Sequence, residues 1–557
     1  MSPPLSTPFS LVRPRLLSVL NAANPRLDVN RRYPQHHPAL WPDFLRRLIT
    51  CVVTVCLLVT ATPSPVWARQ APLVAQTIQP YLDRLTDAVT EFTLDNGMKF
   101  IVLERHQAPV VSFMIHANVG AVNEAEGKTG VAHYLEHLAF KGTSRIGTTD
   151  YGAEQQTLKA MDQLFDRILA AETAGDQATK ARLQAEFDKL AAQAATYVDQ
   201  NKYGQIIEQA GGVGLNATTG ADETRYFYSL PANKLELWMS LESERFIDPV
   251  FREFFEEKNV ILEERRMRVD NSPIGQMVET FLETALERHP YRRPVIGYQA
   301  DLYAATRQDI QAFYDTYYGP GNLTAVVVGD VDPEVVRSLA TTYFGRYPTR
   351  PTPPLPVIDE PVQTEPRQFT LTLPSQPWYL EGYHRPGLSH PDHVIYGILD
   401  SLLVNGRTSR LYKALVETTQ VALDIGTVNG LPGDKYDNIF LIYGLTAPGH
   451  SPDEIGTLLG EQLKRLRDQP VTSTELDRVK TQARASLLRR LNSNSGMASL
   501  LAEYQAKTGD WRNLFRDLDA IDQVTAADVQ RVAQSLFQPN QRTVGQLISP
   551  ASEPAQP

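Results

Sequence analysis

Short apolar stretches bounded by turn residues open the first half of the chain. They cover residues 91–93, 99–103 and 110–117, and each has the length and composition of a β-strand. Asp95, Asn96 and Gly97 separate the first two stretches, and a turn of this composition is typical of a β-hairpin. The pattern therefore predicts a sheet at the start of this half.

Apolar residues next recur at helical spacing over residues 155–198. The spacing predicts two helices, with a turn at Ala174, Gly175 and Asp176 between them. The apolar positions are Leu158, Met161, Phe165, Ile168, Leu183, Phe187, Leu190 and Tyr197. We interpret residues 152–200 as a helical hairpin inserted into the first half, where it offers a surface for packing or for a partner.

An internal repeat relates the two halves of the chain. Residues 309–324 align without gaps with residues 528–543, at a constant offset of 219 residues. Each copy has a Thr-x-x-Asp helix start, at Thr306 and Thr525, followed by an amphipathic helix, a proline and a strand. The recurrence of one such unit predicts two structural repeats.

A proline-dense segment, residues 347–366, separates the repeats. Proline lacks a backbone N–H and has a fixed φ, so we interpret this segment as an extended linker. The expected organisation is a first domain over residues 88–346 and a second over residues 367–549. The predicted fold class is α+β: two tandem homologous repeats, each a mostly antiparallel sheet packed with helices, plus the helical hairpin in the first.

The N-terminal region has the features of an export signal. Arg46 and Arg47 precede an apolar stretch at residues 48–61, and residues 66–68 are a plausible cleavage site. We interpret residues 1–68 as an N-terminal extension and signal sequence, which predicts an exported, periplasmic or secreted protein. An uncleaved segment that anchors the protein to the membrane is the alternative.

Composition excludes several classes of function. The 557 residues carry a formal net charge of −10, which argues against nucleic acid or an anionic membrane as the main partner, since both attract clustered Lys and Arg. Cys51 and Cys56 both lie in the expected signal sequence. The mature protein would therefore have no thiol, which excludes thiolate metal ligands and cysteine-protease chemistry.

A His-x-x-Glu-His motif is the main candidate for chemistry. On an α-helix, His133, Glu136 and His137 lie on one face. The apolar residues of the opposite face are Val131, Leu135 and Leu138. We expect Thr129 to cap the helix and Gly142 to end it. The motif is the inverted zincin arrangement, with two neutral zinc ligands beside a carboxylate. The alternative is a surface helix whose polar residues are solvated, or histidines that bond to backbone carbonyls.

Two imidazoles one turn apart leave two positions of a tetrahedral zinc ion to fill, so a third protein ligand must come from elsewhere. The acid-rich helix predicted over residues 251–269 is the best source. Glu253, Glu257 and Glu264 share one of its faces. The competing acids, on a neighbouring face, are Glu256 and Glu263. Spacing alone does not choose between the two sets.

Three groups of residues resemble the insulinase, pitrilysin and mitochondrial processing peptidase family of zinc metallopeptidases. They are residues 130–143, residues 211–217 with their paired glycines and Leu-Asn-Ala, and residues 257–264. The resemblance extends over about residues 94–549. The histidines and the acidic helix are farther apart in this sequence than is usual in the family, and the hairpin insert accounts for the excess.

The resemblance implies a ligand set and a mechanism. Glu264, the last acid of Glu-x-x-x-x-x-x-Glu, would bind one Zn²⁺ per chain with His133 and His137, and Glu257 would be the supporting acid behind them. The fourth zinc position is then open for water, and Glu136 would act as the general base.

Substrate contacts are expected on an edge strand beside the metal. The resemblance implies that substrate adds there as an extra strand, with Asn216 and Ala217 in contact with its backbone. Phe140 projects from the metal-binding face, where it either forms the wall of an apolar subsite or packs in the ordinary way.

The second half has no equivalent of the metal triad. Residues 405–412 resemble the second domain of the family, in which an Arg and a Tyr seven residues apart hold the substrate carbonyl; here Val416 and Leu423 stand at those positions. A homologous metal-free subunit is expected to supply the pair in a heterodimer, and a homodimer is the other arrangement.

Together these features predict an exported zinc endopeptidase that hydrolyses peptides or unfolded polypeptide segments. A non-catalytic scaffold or assembly subunit of the same fold is the alternative. The intact ligand set argues against that alternative, because a scaffold has no need of two histidines, a base and a distant acid in register.

Overall fold

The computed structural model describes residues 79–550. The expected signal sequence, residues 1–68, and both cysteines lie outside these residues. Helix α1 spans Gln79–Asp87, and the two repeats follow it in the chain. None of the helices within residues 79–550 combines the length and the apolar character that crossing a bilayer requires.

The first repeat contains a sheet of six strands. They are β1 Val89–Thr93, β2 Lys99–Glu104, β3 Val110–Ala117, β4 Val213–Thr219, β5 Thr224–Pro231 and β6 Leu323–Gly329. Their order is β1-β2-β6-β3-β5-β4; β2 and β6 run parallel, and the other neighbours are antiparallel. The three strands predicted at the start of this half are confirmed, with residues 95–97 in the turn between β1 and β2.

The second repeat contains a sheet of five strands. They are β7 Arg367–Thr372, β8 Trp378–Arg385, β9 Ala422–Leu431, β10 Asn438–Thr446 and β11 Arg542–Ile548. Their order is β7-β11-β8-β10-β9, with β7 and β11 parallel and the other neighbours antiparallel. This order repeats that of the first sheet without β1. The predicted α+β class with two repeats is therefore confirmed.

Helices cover both sheets. Those of the first repeat are α2 Val131–Leu138, α3 Tyr151–Thr173, α4 Gln177–Ala195, α5 Lys202–Gln209, α6 Leu235–Ile247, α7 Phe254–Arg265, α8 Pro273–Ala285, α9 Gln299–Ala304, α10 Arg307–Tyr317 and α11 Pro333–Tyr343. Those of the second repeat are α12 His393–Val404, α13 Pro452–Asp468, α14 Ser473–Leu491, α15 Asn494–Thr508, α16 Asn513–Gln523 and α17 Ala526–Leu536.

The internal repeat seen in the sequence is present in the structure. Helix α10 begins with a capping box, in which the Thr306 hydroxyl accepts the N–H of Asp309 and the Asp309 carboxylate accepts the N–H of Thr306. Thr525 and Asp528 make the same pair of bonds at the start of α17. Strands β6 and β11, which follow these helices, also begin 219 residues apart.

The predicted helical hairpin is confirmed as α3 and α4. Asp150 and Asp176 cap the two helices by accepting backbone N–H groups, and residues 174–176 form the turn. Apolar side chains of both helices pack against Phe255 of α7, whose ring centroid lies 5.0 Å from that of Phe165 and 4.7 Å from that of Phe187. The insert is therefore attached to the helix that carries the candidate acids.

Each repeat contributes a helix to the other repeat's sheet. Helix α8, from the first half of the chain, packs against β7 and β11, where Phe281 contacts Phe369. Helix α15, from the second half, packs against β3 and β6. The linker is tied to this interface as well, because Glu360 accepts three backbone N–H groups just after α8 at 2.8 Å each. Residues 348–366 form neither helix nor strand.

Candidate metal and active site

The start of helix α2, which carries both histidines, differs from the prediction. Thr129 does not cap it, because the Thr129 hydroxyl donates to Asp301 at 2.6 Å. The buried carboxylate of Glu124 accepts the N–H groups of Gly130 and Ala132 instead, at 2.9 and 2.8 Å. Burial raises the pKa of Glu124 to about 8, although the hydrogen bonds from Ala132 and Gly130 oppose this effect. Glu124 is therefore the capping residue, and no local spacing rule in the sequence pointed to it.

We expect Glu124→Ala to lower the free energy of unfolding by about 2–3 kcal/mol, because two buried N–H groups would lose their acceptor. Urea unfolding followed by circular dichroism measures the change. Glu126→Ala is the matched control, since Glu126 is exposed and its loss should change the free energy by less than about 0.5 kcal/mol. Equal stability of the two variants would show that Glu124 does not hold the helix.

The end of α2 also differs from the prediction. The helix ends at Leu138, and Gly142 belongs to the tight turn that follows. Gly142 has a φ of 96°, and a Cβ there would lie 2.1 Å from the carbonyl oxygen of Ile146. Arg252 is the physical reason for the turn, because its buried guanidinium collects carbonyl groups of this loop, including those of Thr143 at 2.7 Å and Ile146 at 3.0 Å.

Packing between α2 and α7 sets the two sides of the site against each other. The Tyr134 ring stacks on the Phe254 ring at a centroid distance of 4.7 Å, and the Tyr134 hydroxyl donates to the Phe254 carbonyl oxygen. The predicted apolar face of α2 is buried: Val131, Leu135 and Leu138. The histidine face of α2 is thereby turned toward α7.

His133, His137 and Glu264 converge at this interface. Glu264 Oε2 lies 3.8 Å from His133 Nε2 and 3.6 Å from His137 Nε2, and the three ligand atoms lie within 4.8 Å of one another. Ligands bound 2.0–2.2 Å from a tetrahedral Zn²⁺ are about 3.4 Å apart, so this set of two nitrogens and one oxygen fits zinc with small adjustments. Within residues 79–550, His, Cys, Asp and Glu form no second such group.

The other acids of the α7 region have different environments. Glu263 is at the surface, where its carboxylate pairs with Arg266. Glu253 lies just before α7 and pairs with Lys141 at 3.1 Å. Of the acids that spacing left open, the structure thus brings Glu264 to the histidines.

Glu257 orients His137. His137 Nδ1 donates to Glu257 Oε2 at 3.0 Å, which leaves Nε2 free to face Glu264 and a metal. Lys141 Nζ lies 2.5 Å from the other oxygen of Glu257. Burial alone would raise the pKa of Glu257, but the hydrogen bonds from His137 and Lys141 lower it below its ordinary value. Glu257 therefore stays ionised beside the ligand.

The two histidines have different electrostatic environments. Burial lowers the pKa of His133 to about 3, and the positive charges of His137 and Arg268 act in the same direction. Burial also lowers the pKa of His137, but the hydrogen bond to Glu257 and the neighbouring carboxylates outweigh it and raise the pKa overall. His133 is therefore neutral, the form that binds metal, throughout the physiological range.

Glu264 is held from its other side. Arg268 follows it by one helical turn and forms an ion pair with it, with a guanidinium nitrogen 2.7 Å from Glu264 Oε1. Helix α7 continues here as a π-helical segment, Arg266–Asp270, that carries Arg268. The ion pair leaves Oε2 of Glu264 facing the histidines. In the sequence Arg268 stands in a run of basic residues that is typical of a solvated face, and its i+4 spacing from Glu264 was a usable signal for this ion pair.

Glu136 lies in the same site with one hydrogen-bond partner. Thr219 donates its hydroxyl hydrogen to Glu136 Oε2 at 2.7 Å. Burial raises the pKa of Glu136, and the hydrogen bond from Thr219 partly opposes this effect. Thr219 was also missed, although it follows Asn216 closely on the strand that the sequence placed beside the metal.

That strand, β4, lies at the edge of the first sheet. Within the described residues it pairs with β5 alone, and α2 packs against it. The side-chain oxygen of Asn216 accepts the N–H of Ala217 at 2.9 Å, and Ala217 is buried. The predicted edge position beside the histidine motif is thus where the structure places both residues.

Phe140 is half-buried beside the site. Its ring centroid lies 6.2 Å from that of Tyr226, and the Arg245 guanidinium lies 4.7 Å from the Phe140 centroid. Phe140 also lines a cavity together with Glu136 and Asn216. It therefore both packs against its neighbours and faces the space beside the reacting groups.

Comparison with known proteins identifies the family. The family model described as Insulinase (Peptidase family M16) matches residues 99–164 and 187–298, and the model described as Peptidase M16 inactive domain matches residues 304–483. The chain belongs to peptidase family M16. The resemblance inferred from the motifs is confirmed. The residues of this chain that the insulinase model skips, 165–186, lie within the helical hairpin.

Relatives of this M16 protein carry the name zinc protease. The zinc protease PqqE of Helicobacter pylori is 30% identical over 81% of this chain and 90% of its own length. An uncharacterised zinc protease of Mycobacterium leprae is 26% identical over 83% of this chain and 92% of its own. Similarity to named zinc proteases is consistent with the donor set described above.

Solved structures share the fold. A protease from Helicobacter pylori matches this M16 protein with a TM-score of 0.70, at 27% identity over 82% of this chain and 99% of that one. The first half of the periplasmic protease PqqL from Escherichia coli matches with a TM-score of 0.61 at 18% identity, over 83% of this chain and 92% of that one. The second likeness concerns the fold alone.

Proposed function

We propose that this M16 protein is an exported zinc-dependent endopeptidase that hydrolyses peptides or unfolded polypeptide segments. The observation that carries the proposal is the convergence of His133, His137 and Glu264 beside Glu136 on one cavity of about 550 Å³. Named zinc proteases among the relatives support it. Export rests on the composition of residues 1–68, and amino-terminal sequencing of the mature protein tests it, with a start near residue 69 expected.

Zinc held by this set would act as a Lewis acid that polarises a scissile carbonyl and lowers the pKa of water to about 7. Glu136 then serves as the base: it takes a proton from the attacking water and passes it to the leaving amine. Its raised pKa suits both transfers. Glu257 and Arg268 keep His137 and Glu264 in the orientation that binding requires.

The edge strand β4 is the proposed docking site for substrate. Its outer edge presents backbone N–H and C=O groups next to Glu136 and His137, and an extended peptide can pair with them as an additional strand. We expect Asn216 to contact the backbone of that peptide. Strand addition requires an extended segment, which favours peptides and unfolded chains over folded proteins.

We also propose a homologous metal-free subunit as a partner. Val416 is half-buried and Leu423 is exposed, and neither provides the charged or hydroxyl group that the resemblance implies near a substrate carbonyl. The full periplasmic protease PqqL supports the idea at the level of fold, because this chain matches 48% of its length. Co-elution with a purified metal-free homologue and a higher rate on its addition are expected; neither effect would occur if the chain acts alone or as a homodimer.

Metal content and hydrolysis, measured together, test the central proposal. We expect about one zinc per chain and cleavage of a quenched peptide that a chelator abolishes and added zinc restores. Mutating the surface acid Glu263 should leave both unaffected, as a control for nonspecific metal binding. A chain that binds zinc but cleaves no peptide, alone or with the homologue, would instead be a scaffold of the same fold.

A further inference from the structure

The helical hairpin makes a buried charged contact with a residue outside it. Glu154, in the first turn of α3, is fully buried, and its carboxylate accepts guanidinium N–H groups of Arg252 at 2.8 and 3.2 Å. Arg252 is buried as well, and a buried charge is costly unless an opposite charge compensates it. The hairpin thus supplies the counter-charge for the guanidinium that holds the loop after α2.

Arg252 joins the hairpin to the backbone of that loop. Its guanidinium donates to the carbonyl oxygens of Lys141 at 2.5 Å and Thr143 at 2.7 Å. The loop closes tightly around the guanidinium, because a Cβ on Gly147 would lie 2.9 Å from Arg252 Nη1. Glu154 therefore fixes the position of Arg252, and Arg252 fixes the backbone position of Lys141.

The side chain of Lys141 leads from this loop to a metal-binding residue. Lys141 Nζ lies 2.5 Å from Glu257 Oε1, and the other oxygen of Glu257 accepts the Nδ1–H of His137 at 3.0 Å. The polar path from the hairpin to the site thus consists of Glu154, Arg252, Lys141, Glu257 and His137. The orientation of a histidine ligand depends on the residues behind it. The hairpin is therefore connected to the orientation of His137.

The hairpin also packs on the helix that carries the acidic ligand. Phe165 of α3 and Phe187 of α4 contact Phe255 of α7. Helix α7 carries Glu264, and the loop held by Arg252 follows the helix that carries His133 and His137. The hairpin is thus attached to both elements that bring the metal-binding residues together.

We propose that Glu154 is a positioning residue of the metal site, and that docking of the hairpin and binding of zinc stabilise each other. The inference rests on the proposed zinc site and assigns the hairpin a role in it. The docked hairpin holds the loop in the position from which Lys141 reaches Glu257. Because coupling between two binding events is reciprocal, zinc bound at His137 in turn holds the hairpin in place.

Glu154→Gln tests this role with little change in side-chain size. It removes the charge that compensates Arg252, so we expect zinc affinity to fall at least about fivefold, toward the range known for residues behind metal ligands. Competition with a chromophoric chelator measures the affinity. Glu154→Asp keeps the charge and should lose less affinity than Glu154→Gln. An affinity of Glu154→Gln within about twofold of wild type would overturn the inference.

Asp162→Asn is the matched control. Asp162 lies two turns further along α3, and its carboxylate is 3.1 Å from a guanidinium nitrogen of Arg307. This variant also converts a carboxylate of the hairpin that pairs with an arginine into an amide, but the pair connects the hairpin to α10. Zinc affinity should stay within about twofold of wild type. An equal loss of affinity in Asp162→Asn and Glu154→Gln would overturn the positioning role of Glu154.

A double-mutant cycle with Lys141→Met tests the path. Lys141→Met removes the contact with Glu257 and should itself lower zinc affinity. If Glu154 acts through Lys141, adding Glu154→Gln to this variant should change the affinity little further, because the path is already interrupted. Losses that simply add in the double variant would overturn the path.

Hydrogen exchange tests the coupling in the wild-type protein, so its result does not depend on the folding of any variant. Mass spectrometry follows amide exchange in peptides of α3 with and without zinc. Reciprocal coupling predicts that zinc slows exchange in α3 by at least about fivefold, the same factor as the expected affinity change. Helix α13 of the second repeat is the control, and its exchange should change less. Exchange in α3 that is unaffected by zinc would overturn the inference.

The outcomes separate this inference from the proposed function, because affinity and exchange are measured without any cleavage. A chain that binds zinc and shows the Glu154 effect but cleaves no peptide would overturn the peptidase proposal and support the inference. An active zinc enzyme in which Glu154→Gln keeps its affinity would do the reverse. A wild-type chain that binds no zinc would overturn both.

Discussion

Glu136→Gln should abolish peptide hydrolysis while zinc stays bound. We expect kcat to fall by about 10³-fold, because the amide cannot accept the proton of the attacking water. Glutamine has nearly the same size as glutamate, and its oxygen can still accept the Thr219 hydroxyl hydrogen. The fold and the ligands His133, His137 and Glu264 are left in place. The measurement is kcat on a quenched peptide together with zinc content per chain.

Thr219→Val provides a graded comparison for this prediction. It removes the hydrogen bond to Glu136 but keeps the carboxylate, so kcat should fall far less than in Glu136→Gln. Zinc content should equal that of the wild type in both variants. A zinc-loaded Glu136→Gln enzyme whose kcat stays within tenfold of wild type would exclude Glu136 as the base.

Glu264→Ala should weaken zinc binding by more than about 100-fold. Replacement of a residue behind a metal ligand typically costs 10–100-fold in affinity, and loss of a ligand should cost more. The variant also leaves Arg268 without its carboxylate partner at the edge of the site. Competition with a chromophoric chelator measures the affinity directly, without reference to activity.

Glu263→Ala is the matched control for the ligand assignment. Glu263 is the neighbouring residue on the same helix, but its carboxylate is at the surface and pairs with Arg266. Its removal should leave zinc affinity within about twofold. A larger loss of affinity in Glu263→Ala than in Glu264→Ala would mean that the acid on the neighbouring face is the ligand.

Different supporting residues hold different metal ligands in position. Glu257 fixes the ring of His137 and is itself neutralised by Lys141, whereas Arg268 fixes the carboxylate of Glu264. Each of these two ligands is thus held by a charged neighbour, His137 by a carboxylate and Glu264 by a guanidinium. Such partners reduce the reorganisation that metal binding requires, because the donor atoms already converge.

The sequence predicted the parts of this site that depend on local geometry. His133, Glu136 and His137 share a face because the helix repeat places them there, and the apolar residues of α2 determine which face is buried. The Thr-x-x-Asp capping boxes and the offset of 219 residues predicted the two repeats for the same reason. The roles of the site residues stay predictions until the variants above are measured.

The sequence failed where a long-range contact replaced a local one. Thr129 is a residue type that commonly caps helices, but its hydroxyl donates to Asp301. Glu124 caps the helix instead. Gly142 is a residue type that commonly ends helices, but it lies in a separate turn whose carbonyl groups accept hydrogen bonds from Arg252. In each case the deciding partner is distant in sequence or outside the local motif.

The choice of third ligand shows the same division. Helix spacing left two sets of acids open, and the family resemblance favoured Glu264. The packing of Tyr134 on Phe254 turns α7 so that Glu264 faces the histidines and Glu263 faces solvent. The selection therefore depends on how two helices rotate about their axes, which neither helix encodes alone.

By itself, the sequence determined the first three strands, the helical hairpin, the two repeats and the histidine motif, because periodicity, capping and turn chemistry act over a few residues. Tertiary structure alone decided that α8 packs on the second sheet and α15 on the first. It also decided that apolar residues of α8 lie beside the metal-binding residues. Those outcomes depend on burying apolar faces from both halves of the chain at once. That requirement is a property of the assembled fold and has no signature in any single segment.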